Sequence, residues 1–98
     1  MRFFRGSDGR ALAVSGGREL IVAGLGSDGR WTRARVEGAS AAGFKYAPIA
    51  VLDLDGDGRP EIVFRRDGGD TWNDAILRFD PDSGVWRVVA DSVYDSTA

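Results

Sequence analysis

Short apolar segments rich in β-branched residues, separated by glycine-containing turns, constrain the fold of this chain more than any other feature. Residues 20–25 and 75–79 are two such segments, and the turns that follow them contain Gly29 and Gly84. Glycine adopts the positive φ that tight hairpin turns require. The pattern therefore predicts an all-β chain built from hairpins.

The hairpins belong to a longer repeated pattern. Residues 20–31 align with residues 75–86 at an offset of 55, matching isoleucine, glycine and tryptophan. Upstream, residues 12–14 align with residues 61–63 at an offset of 49, and a longer loop at residues 66–74 absorbs the difference. A unit of about 50 residues with four strands is typical of a β-propeller blade. The sequence predicts two four-stranded antiparallel blades of this type, with Trp31 and Trp86 packed in the core.

Composition excludes several classes of site. The 98 residues suit one small domain, and the chain contains no cysteine and no histidine. Disulfides, zinc sites with Cys or His ligands, thiol nucleophiles and histidine-based triads are therefore excluded. No apolar run approaches the roughly 18 residues of a membrane-spanning helix. The first residues turn polar after two aromatic side chains, so no signal peptide is expected in this chain.

Charge is unevenly distributed along the sequence. The net charge is −2, and residues 1–52 carry eight basic and four acidic side chains, a balance of +4. Residues 53–98 carry five basic and eleven acidic side chains, a balance of −6. The overall balance gives no reason to expect a nucleic-acid partner.

An acidic segment carries the strongest functional signal. Asp53, Asp55 and Asp57 alternate with other residues, so a curled loop would direct their carboxylates inward, with Glu61 closing the far side and Arg59 offering its backbone carbonyl. Calcium prefers six to eight oxygen ligands. Three aspartates this close repel one another, and a cation relieves that repulsion. The segment predicts a calcium loop, and the alternative is a polar hairpin turn without a metal.

The loop does not have the pattern of an EF-hand. An EF-hand requires glutamate at position twelve, where this chain has Phe64 when counted from Asp53. The flanking residues 49–52 and 62–64 are short, apolar and β-branched, which favours strands over helices.

The pattern Asp53-x-Asp-Gly-Asp-Gly-x-x-Glu61, followed by isoleucine and valine, resembles the calcium loop of FG-GAP/VCBS repeats, the blades of integrin-type β-propellers. The resemblance covers residues 43–92 well and residues 1–42 weakly. It implies a degenerate blade without metal ligands at residues 1–42 and a calcium-binding blade at residues 43–98.

The chain departs from the family pattern in three places. The family's Phe-Gly pair is reversed to Gly43-Phe44, and its Gly-Ala-Pro after the second strand is replaced by Arg65-Arg66-Asp67. The first unit also lacks the metal ligands, because Phe4, Gly6 and Leu12 align with Asp53, Asp55 and Glu61.

The resemblance implies a calcium-stabilised, non-catalytic module that recognises proteins or glycans, in an extracellular or cell-surface setting. Trp72, Asn73 and Asp74 lie in the loop that the first unit lacks and are candidate partner-binding residues. Trp72 folding back onto the sheet is the alternative. The alternative functions are a structural subunit of a self-assembled propeller ring and, less favoured, a hydrolase using loop carboxylates, since no apolar pattern marks a carboxyl whose pKa would be raised.

Two blades alone do not form a closed ring, since propellers use about four to eight. Three solutions are open: a fragment of a longer propeller, a ring completed by head-to-tail oligomerisation, or two sheets packed as a small sandwich. The charge division between the two halves favours docking of a positive first unit on a negative second unit of a neighbour.

Overall fold

A computed structural model describes residues 2–5, 11–54, 56 and 59–91, and the backbone of residues 94–95. In this part of the chain every regular element is a strand, so the all-β prediction is confirmed. No helix long and apolar enough to cross a membrane is found among the described residues. The strands are β1 (Arg2–Arg5), β2 (Ala11–Ser15), β3 (Ile21–Leu25), β4 (Trp31–Arg33), β5 (Arg35–Val36), β6 (Lys45–Leu52), β7 (Glu61–Asp67), β8 (Thr71–Asp80), β9 (Val85–Asp91) and β10 (Tyr94–Asp95).

The strands form two sheets. The first is an antiparallel meander in the order β1-β2-β3-β4. The second is a curled, mixed sheet in the order β5-β9-β8-β7-β6, in which only the β5–β9 pairing is parallel. Strand β10 pairs with the start of β8, beyond the segment that β9 covers.

Both sheets pack against one hydrophobic core. Alternate residues of a strand point to the same face, and the apolar ones on the inner faces of both sheets are buried together. Fully buried side chains include Val14 and Val22 from the first sheet and Ile62, Phe64 and Leu77 from the second. Neither sheet therefore has a core of its own among the described residues.

One continuous segment connects the sheets along one side. Arg33 still pairs with β3, the amide of Ala34 donates to the carbonyl of Val22 at 2.8 Å, and residues 35–36 then pair with β9. A sheet-switching strand of this kind forms a corner between packed sheets. It connects the edge of the first sheet to the edge of the second.

Side-chain and backbone hydrogen bonds connect the opposite side. The Nε of Arg2 in β1 donates to the carbonyl of Pro48 in β6 at 3.3 Å. Gly17 and Tyr46 exchange two backbone hydrogen bonds of 2.8 and 2.7 Å. The edges β1 and β6 therefore lie beside each other and cover part of the core.

The structure corrects two details of the predicted repeat. The buried cross-strand pair Val14–Val22 corresponds to the buried pair Ile62–Leu77, which places Ile62, and not Val63, at the repeat position of Val14. A shift of one residue exchanges the two faces of a strand, so the offset of 49 is wrong by one.

The two tryptophans also differ in environment. Trp86 is 5% exposed and packs in the core as predicted, whereas Trp31 is 47% exposed. The turns themselves are confirmed, because Gly29 and Gly84 have φ values of 80° and 72°.

Because the core is shared, we expect the two sheets to unfold together. Leu77→Ala should destabilise the protein by about 2–5 kcal/mol, with equal shifts of the unfolding midpoint reported by Trp31 in the first sheet and Trp86 in the second. Urea unfolding of variants that retain one tryptophan measures this. Val89→Ala, at an exposed position, is the control and should change stability by less than about 0.5 kcal/mol. Separate midpoints for the two tryptophans would contradict a common core.

The turn between β8 and β9 gives a prediction for acid pH. The hydroxyl of Ser83 donates to Asp80 Oδ2 at 2.9 Å and the amide of Asp82 donates to Oδ1 at 3.0 Å, and together with Arg87 they lower the pKa of Asp80 below its ordinary value of 3.8. The resulting stabilisation is present above the unfolded-state pKa and is lost as pH falls through the lower folded-state pKa. NMR titration should show that Ser83→Ala raises the pKa of Asp80. An unchanged pKa would contradict the role of the hydroxyl.

Candidate metal centre

The acidic loop, residues 53–60, joins two paired strands. It begins after Leu52 at the end of β6 and ends before Glu61 at the start of β7, and these two residues are cross-strand partners. The prediction that strands flank the loop is confirmed, and helices of the EF-hand type are absent from these flanks. The ladder holds the two ends of the loop together.

The first turn of the loop is closed by its first aspartate. The amide of Gly56 donates to Asp53 Oδ1 at 2.8 Å, and Gly56 has a φ of 74°. A side chain with a Cβ rarely adopts this backbone conformation. The glycine therefore allows the chain to curl back toward Asp53, as a ligand loop requires.

Glu61 is the buried charged residue of the described chain, with 1% of its surface exposed. Its Oε2 accepts a hydrogen bond of 3.1 Å from the amide of Leu54, and its Oε1 lies 3.4 Å from Nη2 of Arg78. A carboxylate is buried only when hydrogen bonds or opposite charges compensate for lost hydration. The carboxylate is directed into the base of the acidic loop, where it contacts the loop backbone.

The structure brings together part of the predicted ligand set. Asp53 and Glu61 lie at the two ends of the loop, and Arg59 is exposed near its end. Asp55 and Asp57 lie outside the described residues. Among the residues that are described, no three acidic side chains converge in a way that would hold a metal ion. The five-residue calcium set stays a prediction.

The donors that the sequence supplies nevertheless fit calcium. All are oxygens, which calcium prefers to nitrogen or sulfur. Arg78, whose side chain is 47% exposed, places a positive charge beside Glu61. A cation bound by the loop would compete with this guanidinium for the carboxylate.

The second candidate site differs from its prediction. Trp72, Asn73 and Asp74 were predicted to lie in a loop, but they belong to strand β8. The turn before them is short and is closed by a 2.9 Å hydrogen bond from the amide of Gly68 to the carbonyl of Thr71. The polarity of Asn73 and Asp74 suggested a loop, but these two residues pair with Arg66 and Arg65 in the ladder, and Trp72 pairs with Asp67.

Strand alternation separates these residues between two faces. On the face directed away from the core, Arg65 binds Asp74 through two hydrogen bonds of 2.8 and 3.3 Å and stacks on Trp72, with its guanidinium carbon 4.2 Å from the ring centroid. On the opposite face, Arg66 donates to Asn73 at 3.1 Å. Only Trp72 and Asp74 of the predicted set therefore share a surface.

Arg65 and Arg66 are the site residues that sequence reasoning missed. Arg66 also pairs with Asp91 at 3.1 Å. The sequence signal for them was the polar composition of both the end of β7 and the start of β8. This composition indicates polar cross-strand pairs once the two strands are known to pair.

We expect Glu61 to be more important for stability than an exposed glutamate. Glu61→Ala removes the acceptor of the Leu54 amide and the partner of Arg78, and should cost about 1.5–3 kcal/mol in calcium-free urea unfolding. Glu19→Ala is the matched control, since Glu19 pairs with Arg33 at 2.7 Å on the surface, and should cost about 0–1 kcal/mol. Equal losses for the two variants would contradict the structural role of Glu61.

No protein family, no curated protein and no solved structure matches this chain. The features of the chain that bear on its function are the sequence motif, the geometry of the acidic loop and the outer face of the second sheet.

Proposed function

We propose that this chain is a calcium-stabilised, non-catalytic β-repeat module that binds a protein or glycan partner, in the manner of the FG-GAP/VCBS repeats that its acidic loop resembles. The observation that carries the proposal is the buried Glu61 carboxylate, which accepts a hydrogen bond from the backbone of the same loop that contains three aspartates. The proposed extracellular or cell-surface setting follows from the same resemblance.

Calcium would be held by the side chains of Asp53, Asp55, Asp57 and Glu61 and by the backbone carbonyl of Arg59. The ion would offset the repulsion among the carboxylates. It would also connect the end of β6 to the start of β7, because Asp53 and Glu61 flank those strand ends. Its role is to fix the conformation of the loop, and thereby to stabilise the sheet.

The partner-binding surface is the outer face of the second sheet around Trp72 and Asp74. The Arg65 guanidinium binds Asp74 and stacks on Trp72, so the aromatic ring is held in one orientation. A fixed aromatic side chain contributes a large contact area with little loss of conformational entropy. The same surface would suit an apolar protein side chain or the apolar face of a sugar.

A thermal melt with calcium and with chelator tests the metal site. Ligand at a hundred times its Kd stabilises a protein by about 2.7 kcal/mol, which corresponds to a rise in Tm of about 10–20 °C for a domain of this size. Asp53→Asn and Glu61→Gln should reduce or abolish the rise. Asp28→Asn is the matched control, because Asp28 closes a hairpin turn in the other sheet through a 3.0 Å bond from the Arg30 amide.

A further variant separates calcium binding by the loop from general salt effects. Arg78→Gln removes the positive charge that competes for Glu61, so it should lower the calcium Kd several-fold while lowering Tm in chelator. Isothermal titration calorimetry measures the Kd. A wild-type Tm that is the same in calcium and chelator would rule out the metal proposal.

A further inference from the structure

A cleft of about 330 Å³ opens at the corner where the chain passes from the first sheet to the second. The sheet-switching segment, residues 33–36, forms one wall, and residues 19–20 and 39–40 form the other. The two parts of the second wall are joined by a 2.9 Å hydrogen bond from the amide of Leu20 to the carbonyl of Ala39. Small-molecule sites in proteins occupy about 300–1,000 Å³, so the cleft is large enough for one small organic molecule.

The floor of the cleft is apolar. Leu20 and Ala39 are buried at its base, and Ala34 and Val36 are half-buried and pack against the same core. The packing of the two sheets holds these side chains in place, so the floor does not depend on a ligand for its shape. An apolar floor favours the apolar part of an organic ligand over a fully hydrated ion.

The rim of the cleft carries one uncompensated positive charge. Two arginines and one glutamate line the cleft, a balance of +1, and Glu19 and Arg33 form an ion pair of 2.7 Å between the two walls. Arg35 is exposed and has no ion pair or side-chain hydrogen bond within the described part of the chain. A guanidinium binds a carboxylate through two parallel hydrogen bonds. The rim therefore suits a ligand with a single carboxylate.

The same rim offers partners for hydroxyl groups. Glu19 accepts the hydrogen bond from Arg33 through Oε1, so its Oε2 can accept one from a ligand. The Ser40 hydroxyl can donate or accept. The negative charge of Glu19 also repels a second negative charge on the ligand. A hydroxylated monocarboxylate therefore matches the rim better than a bare carboxylate, a neutral sugar or a dianion.

We propose that this cleft binds a sugar acid, a ring that carries several hydroxyls and one carboxylate. The carboxylate binds Arg35, the hydroxyls bind Glu19 and Ser40, and the apolar face of the ring lies on the floor. The cleft is separate from the acidic loop and from the face around Trp72. The inference therefore goes beyond the proposed function and does not require calcium.

Titration of isotope-labelled protein with glucuronate, followed by NMR, tests the proposal. Changes in amide shift should concentrate at residues 33–36 and 39–40. Glucose and acetate, at the same ionic strength, should each bind about tenfold more weakly or less, because each lacks one of the groups that the rim matches.

Variants at the rim test the role of each charge. Arg35→Gln should raise the Kd for glucuronate about tenfold to a hundredfold, and Arg35→Lys, which keeps the charge, should raise it less. Arg30→Gln is the matched control, because Arg30 is exposed in the neighbouring hairpin and does not line the cleft. Glu19→Gln should bring the Kd values for acetate and glucuronate closer together, since it removes a hydroxyl acceptor and a negative charge.

The dispersion of the amide spectrum reports whether each variant is folded, and Arg35 pairs with Val85 through backbone atoms that these substitutions keep. The preference of the wild type for glucuronate over glucose and acetate needs no variant. A wild type without that preference, an Arg35→Gln variant with an unchanged Kd, or shifts centred on Trp72 would each overturn the proposal. Titrations in chelator keep this outcome separate from that of the calcium melts.

Discussion

Packing of both sheets against one core is the constraint on which the rest of the structure depends. A sheet that is apolar on one face must bury that face against another element. Phe64, Ile62 and Leu77 of the second sheet complete their burial against Val14 and Val22 of the first. This packing fixes which face of each strand is inside. It therefore also fixes which side chains, Trp72 and Asp74 among them, are presented to solvent.

The placement of Glu61 follows from the same constraint. Glu61, Ile62 and Phe64 are all buried at the start of β7, although alternation alone would expose one side of that strand. Ile62 and Phe64 face the core, while Glu61 is covered by the acidic loop and by Arg78. A buried carboxylate is costly unless it is compensated, so the loop and the strand are coupled through this one side chain. Calcium would strengthen a connection that the polypeptide already contains.

Sequence reasoning identified the strands and the turns at Gly29 and Gly84, because alternation and glycine positions are local properties. It missed features that depend on pairing between distant segments. Asn73 and Asp74 of β8 were assigned to a loop, because the sequence alone does not show that they pair with Arg66 and Arg65 on β7. Likewise, the exposure of Trp31 depends on which face of the first sheet meets the core. Of the candidate calcium ligands, the sequence correctly placed Asp53 and Glu61 at the two ends of a loop between strands.

The sheet-switching segment has a consequence for the order in which the chain folds. Arg35 and Val36 pair in parallel with Val85 and Trp86, fifty positions later. The contact between the sheets at this corner cannot form until the last strands of the second sheet have reached it. Closing so long a loop carries an entropic cost that local contacts do not repay, and such topologies fold slowly. The first sheet can pair its own strands early, but its inner face stays open to solvent until β7, β8 and β9 of the second sheet pack against it.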